Sequence, residues 1–437
     1  MRHENNFTNV LTDNMNALLI LTVFLVGTAV TTSPTIVSLV PPGIVTESQE
    51  QYIMVGGQNG TWFQQGQAPR LYRIILSNYS VTRLMPVSSQ GTVWGGSWNG
   101  SQWLISGWGV NSGPYGSNPY IYLNDGENQV VAGTMTQYDS EGSWHGGDIF
   151  AASYGIHSWL LSGLGSDVLP SSRWPANHMS LATFDGYHFQ DLSVNVPHQE
   201  DAILYANSWN GRYWLVGGGF LRSRVLFAFD GVKITDLTSQ LDEQVSYSGS
   251  IQTIAWNGAY WLIGGIDLLA KFDGKHFIDL SAHLRAALDR SFTVNSIAWD
   301  GDEWMLGGGT PVAQLLPSQA WVATYSSFGF SDLSGLLPSR LSNQSSTILT
   351  VAYANPFWIV GGYSGRYEGL LLSYRGGTFR DLSKLAGDTS YVIWVGAGTF
   401  KSHQQDFTKF RFVASAANAP YLASVWVIYR SARYPIS

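Results

Sequence analysis

The carboxylates of this chain are the side chains best suited to general acid and base chemistry, and they recur at fixed places instead of gathering at one. Three aspartates precede glycine in FDG motifs, and five begin DLS or DLT motifs. A catalytic site occurs once, whereas a residue that every copy of a repeat needs recurs, and Asp before Gly is typical of a tight turn. We therefore interpret these aspartates as structural, and we expect the Ser or Thr after each Asp-Leu to cap a short helical turn. The two sets are Asp185, Asp230 and Asp273, and Asp191, Asp236, Asp279, Asp332 and Asp381.

Other residue types show no pattern of a reactive centre. Cysteine is absent, which excludes disulfides, thiolate metal ligands and cysteine nucleophiles. The nine histidines show no metal-ligand spacing, and no P-loop, GxGxxG or GxSxG motif occurs in a strand-to-helix setting. We predict neither a metal nor another cofactor.

Charged residues in segments of variable length are the remaining candidates for chemistry. An acid and a base gathered from several such segments would make a carbohydrate-active hydrolase or lyase, and the criterion is a pair of carboxylates at roughly 5 to 10 Å. The candidates are Asp167, Glu200, Asp267, Glu368, Arg222 and Arg366.

A repeated pattern of an aromatic residue, a turn and an apolar run must position these residues. It reads WNGSQWLISG from Trp98, WNGRYWLVGG from Trp209, WNGAYWLIGG from Trp256 and WDGDEWMLGG from Trp299. Degenerate copies keep the frame, and eight apolar cores begin at positions 53, 103, 159, 214, 261, 304, 358 and 411. Recurrence at this spacing is typical of a β-propeller. We expect about eight blades, or seven if the first or last copy is an appendage.

Each copy has a second half, such as FDGKHFIDLS from Phe272. The unit predicts four antiparallel strands, A to D, with Asn-Gly between A and B and Asp-Gly between C and D, in type I′ turns. The chain is therefore predicted to be all-β, with its regularly placed Trp residues packed between blades. The A–B and C–D turns would lie on one face, and the long B–C loops and D–A linkers on the other, which we call the loop face.

The Gly-Gly that ends strand B resembles the Kelch repeat, and the strand order resembles the Kelch and galactose-oxidase type of propeller. The resemblance covers roughly residues 44 to 430 and implies architecture alone, because FDG and DLS replace the Kelch family's Tyr and Trp in the second half. Galactose-oxidase chemistry needs a tyrosine crosslinked to cysteine, and this chain has no cysteine.

The last copy is incomplete. It is expected to run through Tyr391–Ala397, Phe410–Ala417 and Tyr421–Tyr429, after which the chain stops without a strand D. The uncharged segment Thr35–Val40 could supply that strand and close an eighth blade, which would remove an open sheet edge.

The N-terminus contains a fourteen-residue apolar run, Ala17–Val30. Its length is typical of a secretory signal peptide, while an extension toward Val40 would make a membrane anchor. We expect residues 1–32 to be such a signal or anchor and residues 33–437 to form an extracytoplasmic propeller, in contact with a membrane only through the N-terminal segment. The lack of cysteine favours a prokaryotic origin. Sequons that could be glycosylated there are Asn6, Asn59, Asn78, Asn99 and Asn343.

Charge and loop placement define the expected partner. Charged residues make up 12% of the chain, the net charge is −7, and no basic stripe occurs, which excludes a nucleic-acid surface. Variable loops on a rigid scaffold are typical of a binding site, so we predict a non-catalytic module for carbohydrate or a surface protein. The alternatives are the hydrolase or lyase above and a structural component of the cell envelope. The predicted binding residues are Trp108, Tyr115, Tyr120, Trp174, Arg222, Arg224, Tyr363, Arg366, Tyr367 and Glu368.

Overall fold

The fold was obtained as a computed structural model. It describes residues 51–59, 68–84, 91–110, 117–124, 129–134, 137–138, 144–167, 176–197, 202–220, 223–246, 249–311, 318–341, 345–365, 368–399, 410–413 and 424–427. The predicted signal or anchor at residues 1–32 lies outside the described residues. No helix within the described ranges is long and apolar enough to cross a membrane.

The described strands form seven blades, each an antiparallel sheet with the order A, B, C, D from the axis outward. The strands of blades 1 to 3 are β1 (Gln51–Asn59), β2 (Ala68–Ile75) and β3 (Val81–Leu84); β4 (Gly91–Trp98), β5 (Trp103–Val110), β6 (Ser117–Asn124) and β7 (Gln129–Thr134); and β8 (Gln137–Tyr138), β9 (Trp144–Gly155), β10 (Ser158–Asp167), β11 (Ala176–Phe184) and β12 (Phe189–Asp191). In blade 3, β9 is strand A and the short β8 pairs with its first residues.

Blades 4 to 7 have four strands each. These strands are β13 (Ile203–Trp209), β14 (Trp214–Phe220), β15 (Ser223–Phe229) and β16 (Ile234–Asp236); β17 (Ile251–Trp256), β18 (Trp261–Gly265), β19 (Leu268–Phe272) and β20 (Phe277–Asp279); β21 (Thr293–Trp299), β22 (Trp304–Gly309), β23 (Trp321–Ser326) and β24 (Gly329–Asp332); and β25 (Ser346–Ala354), β26 (Phe357–Ser364), β27 (Glu368–Arg375) and β28 (Thr378–Asp381). Helices α1 (Thr238–Gln244) and α2 (Ser281–Leu288) lie in D–A linkers, as do 3₁₀ turns at Ser193–Asn195, Ser334–Leu336, Ser339–Leu341 and Ser383–Ala386.

The ring closes with seven blades, so the expected count of eight is wrong and the alternative of seven is confirmed. The strand β29 (Tyr391–Thr399) pairs with β1 and becomes strand A of blade 1. It pairs with the backbone groups on the inner edge of β1, because no described strand precedes β1 in the chain to serve as strand A of blade 1. Neighbouring A strands are in contact around the whole circle, including β29 with β4.

The segment expected to begin an eighth blade therefore completes the first. Residues Phe410–Val413 (β30) and Ser424–Val427 (β31) pair only with each other, in a two-stranded sheet. Thr35–Val40, expected to supply a strand D, lies outside the described residues, and β3 already occupies the strand D position of blade 1.

The core consists of apolar layers between blades. Seven clusters are found among the described residues, and each joins one blade to the next, as where Leu262 and Leu269 of blade 5 meet Val294 and Trp304 of blade 6. The Trp at the start of strand B is buried in blades 2 to 7, in agreement with the expected structural role. These side chains are Trp103, Trp159, Trp214, Trp261, Trp304 and Trp358.

The double glycine of strand B, found in blades 1 and 4 to 7, is required there on steric grounds, whereas blades 2 and 3 have Ser106 and Ser162 at its first position. A Cβ on the first glycine would enter the next blade, as at Gly264, where it would lie 2.7 Å from Val294 Cγ1. A Cβ on the second glycine would overlap a carbonyl of its own A strand, as at Gly265 with the Ser250 oxygen. The pair therefore lets two backbones and a neighbouring blade approach closely.

The Asn-Gly and Asp-Gly turns differ from the expected type I′, whereas the A–B turn of blade 3 and the C–D turn of blade 7 have positive φ at both central residues, Ile156 and His157 in one and Gly376 and Gly377 in the other. In the Asn257-Gly258 turn only the glycine has positive φ, at +95°, which is the pattern of a type II′ turn. The Asn257 side chain explains why Asn recurs at this place in the copies, since its Oδ1 accepts the amides of Ala259 and Tyr260 at 3.0 and 2.9 Å. Aspartate does the same in the FDG turns, as where Asp273 accepts the amides two and three residues further on.

The DLS motif anchors strand D to strand C, and it does so without the expected helix cap. In blade 5 the Asp279 carboxylate accepts the Ser281 amide at 2.9 Å, while Leu280 is buried. The Ser281 hydroxyl accepts the Leu269 amide of strand C at 3.0 Å. No side-chain cap is formed at the start of α2. The repeated aspartates are therefore structural, as predicted.

A charged cluster fastens the closing strand. Asp388, in the linker before β29, accepts hydrogen bonds from Arg70 at 2.7 and 2.5 Å and from the Tyr72 hydroxyl at 2.8 Å. Asn59 donates to the same carboxylate at 3.1 Å. The hydrogen bonds from Arg70 hold the pKa of Asp388 well below its usual range. We call Arg70, Tyr72, Asn59 and Asp388 the closure cluster.

The turn geometry predicts the effect of Gly258→Ala. Since no atom lies within 4 Å of an added Cβ, the cost comes only from the positive φ and should be about 1 to 2 kcal/mol in the free energy of unfolding. Gly335→Ala is the control, because that site is equally open and has ordinary φ. Thermal and urea unfolding should show a loss for Gly258 and none for Gly335; equal effects would contradict the turn assignment.

The closure cluster predicts a pH-dependent contribution. Because its folded pKa is lowered, the Asp388 carboxylate stabilises the fold fully above the unfolded pKa of about 3.9, and this stabilisation is lost as pH falls below it. Half of the carboxylate faces solvent, which screens the pair, so Asp388→Asn should cost only about 1 kcal/mol at pH 7. The gap from wild type should shrink below pH 4.

The control for this prediction is Asp302→Asn, in an exposed turn, which should have little effect on the free energy of unfolding. Both variants are measured by urea unfolding between pH 7 and pH 3. A gap between Asp388→Asn and wild type that stays constant over this range would exclude the role of the carboxylate in closure.

Candidate functional site

Each A strand carries a β-bulge at the same place, opposite the double-glycine position of strand B. The register shifts by one residue there in all seven blades that the structure describes. A bulge leaves one residue outside the regular pairing and redirects its side chain. The bulged residues, from blade 2 around to blade 1, are Trp94, Phe150, Tyr205, Gln252, Asn295, Leu349 and Ile393.

These seven side chains, which we call the axial ring, lie on the innermost strands and keep part of their surface exposed. The residue before each bulge is a buried aliphatic side chain that packs between blades, such as Ile251 and Val294. Consecutive members of the ring meet across blade boundaries: the centroids of Trp94 and Phe150 lie 5.0 Å apart, and those of Phe150 and Tyr205 lie 5.4 Å apart. The bulges therefore direct one residue per blade toward the axis.

The ring is divided by chemistry into three parts. Trp94, Phe150 and Tyr205 form a continuous aromatic arc. Two side-chain amides follow in blades 5 and 6, which we call the amide pair, namely Gln252 and Asn295. The aliphatic side chains of blades 7 and 1 complete the circle and return to the aromatic arc; these are Leu349 and Ile393.

The amide pair is held in place by hydrogen bonds. Asn295 Nδ2 donates to the Ile348 carbonyl of the next blade at 2.8 Å. Gln252 Nε2 donates to Ser250 Oγ at 2.9 Å. These bonds fix both amide groups, and each amide retains an oxygen that can accept a hydrogen bond from a ligand.

Asp148 lies two residues before the bulge of blade 3, toward the loop face. Counterparts of this position in other blades meet the preceding blade. Thr92 Oγ1 donates to Gln58 Oε1 at 2.5 Å, and the rings of Tyr391 and Tyr363 lie 5.0 Å apart. In both pairs the partner is the residue that follows the double-glycine position of strand B.

By the same relation between neighbouring blades, the position opposite Asp148 is that of Trp108, which follows Gly107 in β5 of blade 2. Part of Asp148 remains exposed, but its Oδ1 is closed off from solvent and has no hydrogen-bond partner within the described part of the chain. Burial raises the pKa of Asp148 to about 7. An acid of this kind is neutral below that pH and costs free energy when it ionises without a partner.

Four of the predicted binding residues have described side chains. Trp108 is half-buried at the end of β5, and Tyr363 is half-buried against Tyr391. Glu368 is exposed, with its carboxylate 4.0 Å from Arg340. The fourth, Arg224, is 6% exposed and bonds Asp242 at 2.6 Å and the Val245 carbonyl at 2.9 Å, which ties β15 to the linker that contains α1.

The side chains of the other predicted binding residues lie outside the described part of the chain. Tyr120 belongs to β6, but its side chain lies outside the described part. The rest lie outside the described residues, namely Tyr115, Trp174, Arg222, Arg366 and Tyr367.

The candidate catalytic carboxylates that are described have other partners. Asp267 pairs with Arg285 at 3.0 Å, and Glu368 lies near Arg340. Asp167 ends β10 with its side chain outside the described part, and Glu200 lies outside the described residues. Within the described ranges, no group of three or more His, Cys, Asp or Glu side chains could hold a metal.

The candidate glycosylation sites differ in their surroundings. Asn78 is exposed in the β2–β3 turn, where its Oδ1 accepts the Ser80 amide. The Asn99 side chain bonds its own turn, and Asn59 belongs to the closure cluster. Asn6 and Asn343 lie outside the described residues.

The axial ring was missed by reasoning from the sequence, although a signal exists. In the four blades with a WNG or WDG turn, the bulged residue stands four residues before the Trp of that motif, as Tyr205 stands before Trp209 and Gln252 before Trp256. An alignment of the copies on WNG would place the aromatic, amide and aliphatic members in one column. These side chains point toward the axis because of the bulge, and no residue type in the sequence indicates that a bulge forms there.

Comparison with known proteins found similar chains among solved structures only. No family model matches the chain, and no curated protein matches it. Among solved structures, the β-propeller domain of the Trilobed protease from Pyrococcus furiosus is 9% identical with a TM-score of 0.47, over 77% of this chain and 95% of that one.

Two further solved structures are similar to this chain. Acylaminoacyl peptidase from Pyrococcus horikoshii is 8% identical with a TM-score of 0.47, and the match covers 76% of this chain and 50% of that one. YCF48 bound to D1 peptide is 11% identical with a TM-score of 0.42, over 75% of this chain and 93% of that one.

The environment of Asp148 predicts the pH dependence of Asp148→Asn. Its raised pKa means that the wild type bears no ionisation cost below the unfolded value of about 3.9, and that the cost grows until pH passes about 7. The neutral amide has no such cost. The variant should therefore gain stability relative to wild type between pH 4 and pH 8, in urea unfolding measured across that range. A relative stability that does not change with pH would show that Asp148 has a partner.

Proposed function

We propose that this propeller is a non-catalytic binding module for carbohydrate, with its site at the axial ring. The observation that carries the proposal is the division of the ring, in which the aromatic arc of Trp94, Phe150 and Tyr205 adjoins the amides of Gln252 and Asn295 around one axis. Sugars present apolar C–H faces and a rim of hydroxyl groups. An aromatic arc supports the first and fixed amides support the second.

The position of the ring also supports binding from the loop face. The bulges lie toward the start of strand A and the end of strand B, as where Ile251 pairs with Gly265. The described strand ends that lead into the B–C loops and D–A linkers lie at this same end of the ring. Rigid strands that hold the contacts and variable loops at the entrance are the usual arrangement of a binding site.

We further propose an extracytoplasmic location, for which the support is the apolar run Ala17–Val30 of the sequence. A relation to Kelch-type propellers is proposed on the double glycine and the strand order alone. N-terminal sequencing of the protein isolated from its native envelope would distinguish a cleaved signal from a retained anchor, and recovery of the full N-terminus in the cytoplasm would contradict the location.

The binding site is tested by a neutral oligosaccharide panel and calorimetry on the full chain. Phe150→Ala and Gln252→Ala should each weaken binding of the best neutral oligosaccharide at least tenfold, because the first removes a stacking surface and the second a hydrogen-bonding group. Phe328→Ala is the matched control, since Phe328 is 99% exposed in the C–D turn of blade 6 on the opposite face. Unchanged affinity in both ring variants, with the fold confirmed by circular dichroism, would exclude the ring.

Catalysis is the second candidate, because the Asp148 Oδ1 atom is inaccessible without a partner in the described part of the chain, and burial raises the pKa of Asp148 to about 7, which suits a general acid. Glycoside hydrolysis also needs a second carboxylate. Prolonged incubation of the bound oligosaccharide with the protein, followed by measurement of reducing ends, should show no turnover. Turnover that Asp148→Asn abolishes would replace the binding proposal with the enzymatic one.

A further inference from the structure

We propose that Asp148 and Trp108 form a subsite for a protonated primary amine, so that the carbohydrate recognised at the axial ring is an amino sugar with a free amine. The inference rests on the proposed function and adds the charge of the ligand to it. It starts from a carboxylate that the described part of the fold does not pair.

The Asp148 carboxyl group has no partner among the described residues. The Asp148 Oδ1 atom is inaccessible and has no hydrogen-bond partner within the described part of the chain, while part of the residue remains exposed. An ionised carboxylate in such surroundings is costly unless a cation or several donors approach it. Its own strand β9 and the strands packed against β9, which are β4, β5, β6, β8, β10 and β13, contain no Lys or Arg.

Aromatic side chains stand near Asp148 in the strand and in the repeat. Phe150 is two residues away on the same strand, and its ring contacts Trp94 and Tyr205. The repeat matches Trp108 with Asp148 across the blade boundary, as Tyr363 is matched with Tyr391. Aromatic faces attract ammonium groups, and a carboxylate beside them supplies the opposite charge.

An ammonium group suits this carboxylate better than a divalent metal ion or a guanidinium does. Divalent metal ions need several oxygen ligands, and the described residues contain no cluster of three acidic or histidine side chains. A guanidinium prefers a carboxylate with both oxygens open, whereas the Oδ1 atom of Asp148 is inaccessible. A single ammonium, a compact charge, fits one oxygen and the adjacent rings.

Asp148 differs in charge from the residues at the equivalent positions of the other blades. Equivalent positions in other blades hold neutral side chains, including Thr92, Ser250, Thr293 and Thr347. The carboxylate is thus an exception in one blade, next to the aromatic arc. It would orient an amino sugar with its amine toward blade 3 and its ring across the aromatic side chains.

The experiment compares three probes on the full chain at pH 7 by calorimetry. These are a β-1,4-linked tetramer of glucosamine, the N-acetylated tetramer, which has the same linkage without the charge, and a tetralysine peptide. The wild type should bind the free amine at least tenfold more tightly than the N-acetylated form, and this ratio should fall as salt increases. In Asp148→Asn the ratio should fall to about 1, and in the control Asp302→Asn it should not change.

The outcomes separate the two proposals. Equal affinity for both tetramers, or a preference that survives in Asp148→Asn, overturns the amine subsite and leaves carbohydrate binding intact. Failure to bind any oligosaccharide overturns both. Binding of tetralysine with the same dependence on Asp148, but of neither tetramer, overturns the assignment to an amino sugar and points to a basic peptide.

Discussion

The double-glycine position of strand B, which is Gly-Gly in five blades and Ser-Gly in blades 2 and 3, is the constraint on which the rest of the propeller depends. At Gly264 and Gly265 the absence of side chains lets the next blade's Val294 and the Ser250 carbonyl of the adjoining A strand occupy the space. The first contact sets the spacing between blades. The second permits the bulge in strand A, and the bulge directs one residue per blade toward the axis. Blade packing and the candidate site therefore have one steric origin.

The backbone repeats sevenfold, but the side chains on the axis do not. The motifs that build a blade, WNG, FDG and DLS, satisfy their polar groups inside the blade. Asn257 and Asp273 bond turn amides, and Ser281 bonds strand C. Because those groups are occupied by the scaffold, function must come from positions that differ among blades. Asp148 and the members of the axial ring are such positions.

Much of the architecture could be predicted from the sequence, because each blade carries its own turn chemistry and apolar strands. The number of blades could not, because β29 has the sequence of a strand A and nothing local shows whether it begins a new blade or completes the first. Turn type was predicted wrongly for a related reason: Asn-Gly permits positive φ at both residues, and the side-chain bonds of Asn257 favour a turn in which only Gly258 has it. Arg224 was predicted to be a binding residue because it lies beside a B–C loop. Its burial against the linker that contains α1 depends on tertiary contacts, which the residue type arginine does not indicate.

Closure of the ring at seven blades is the central claim, since the axial ring exists only if β29 lies between β4 and β25. The most direct measurement is thermal unfolding of two truncated chains, one ending at Thr399 and one ending at Thr389. Our account predicts that the first retains a cooperative transition near that of the full chain, and that the second, which lacks β29, loses it. A chain ending at Thr399 that fails to fold, or one ending at Thr389 that is as stable as the full chain, would contradict the seven-bladed closure.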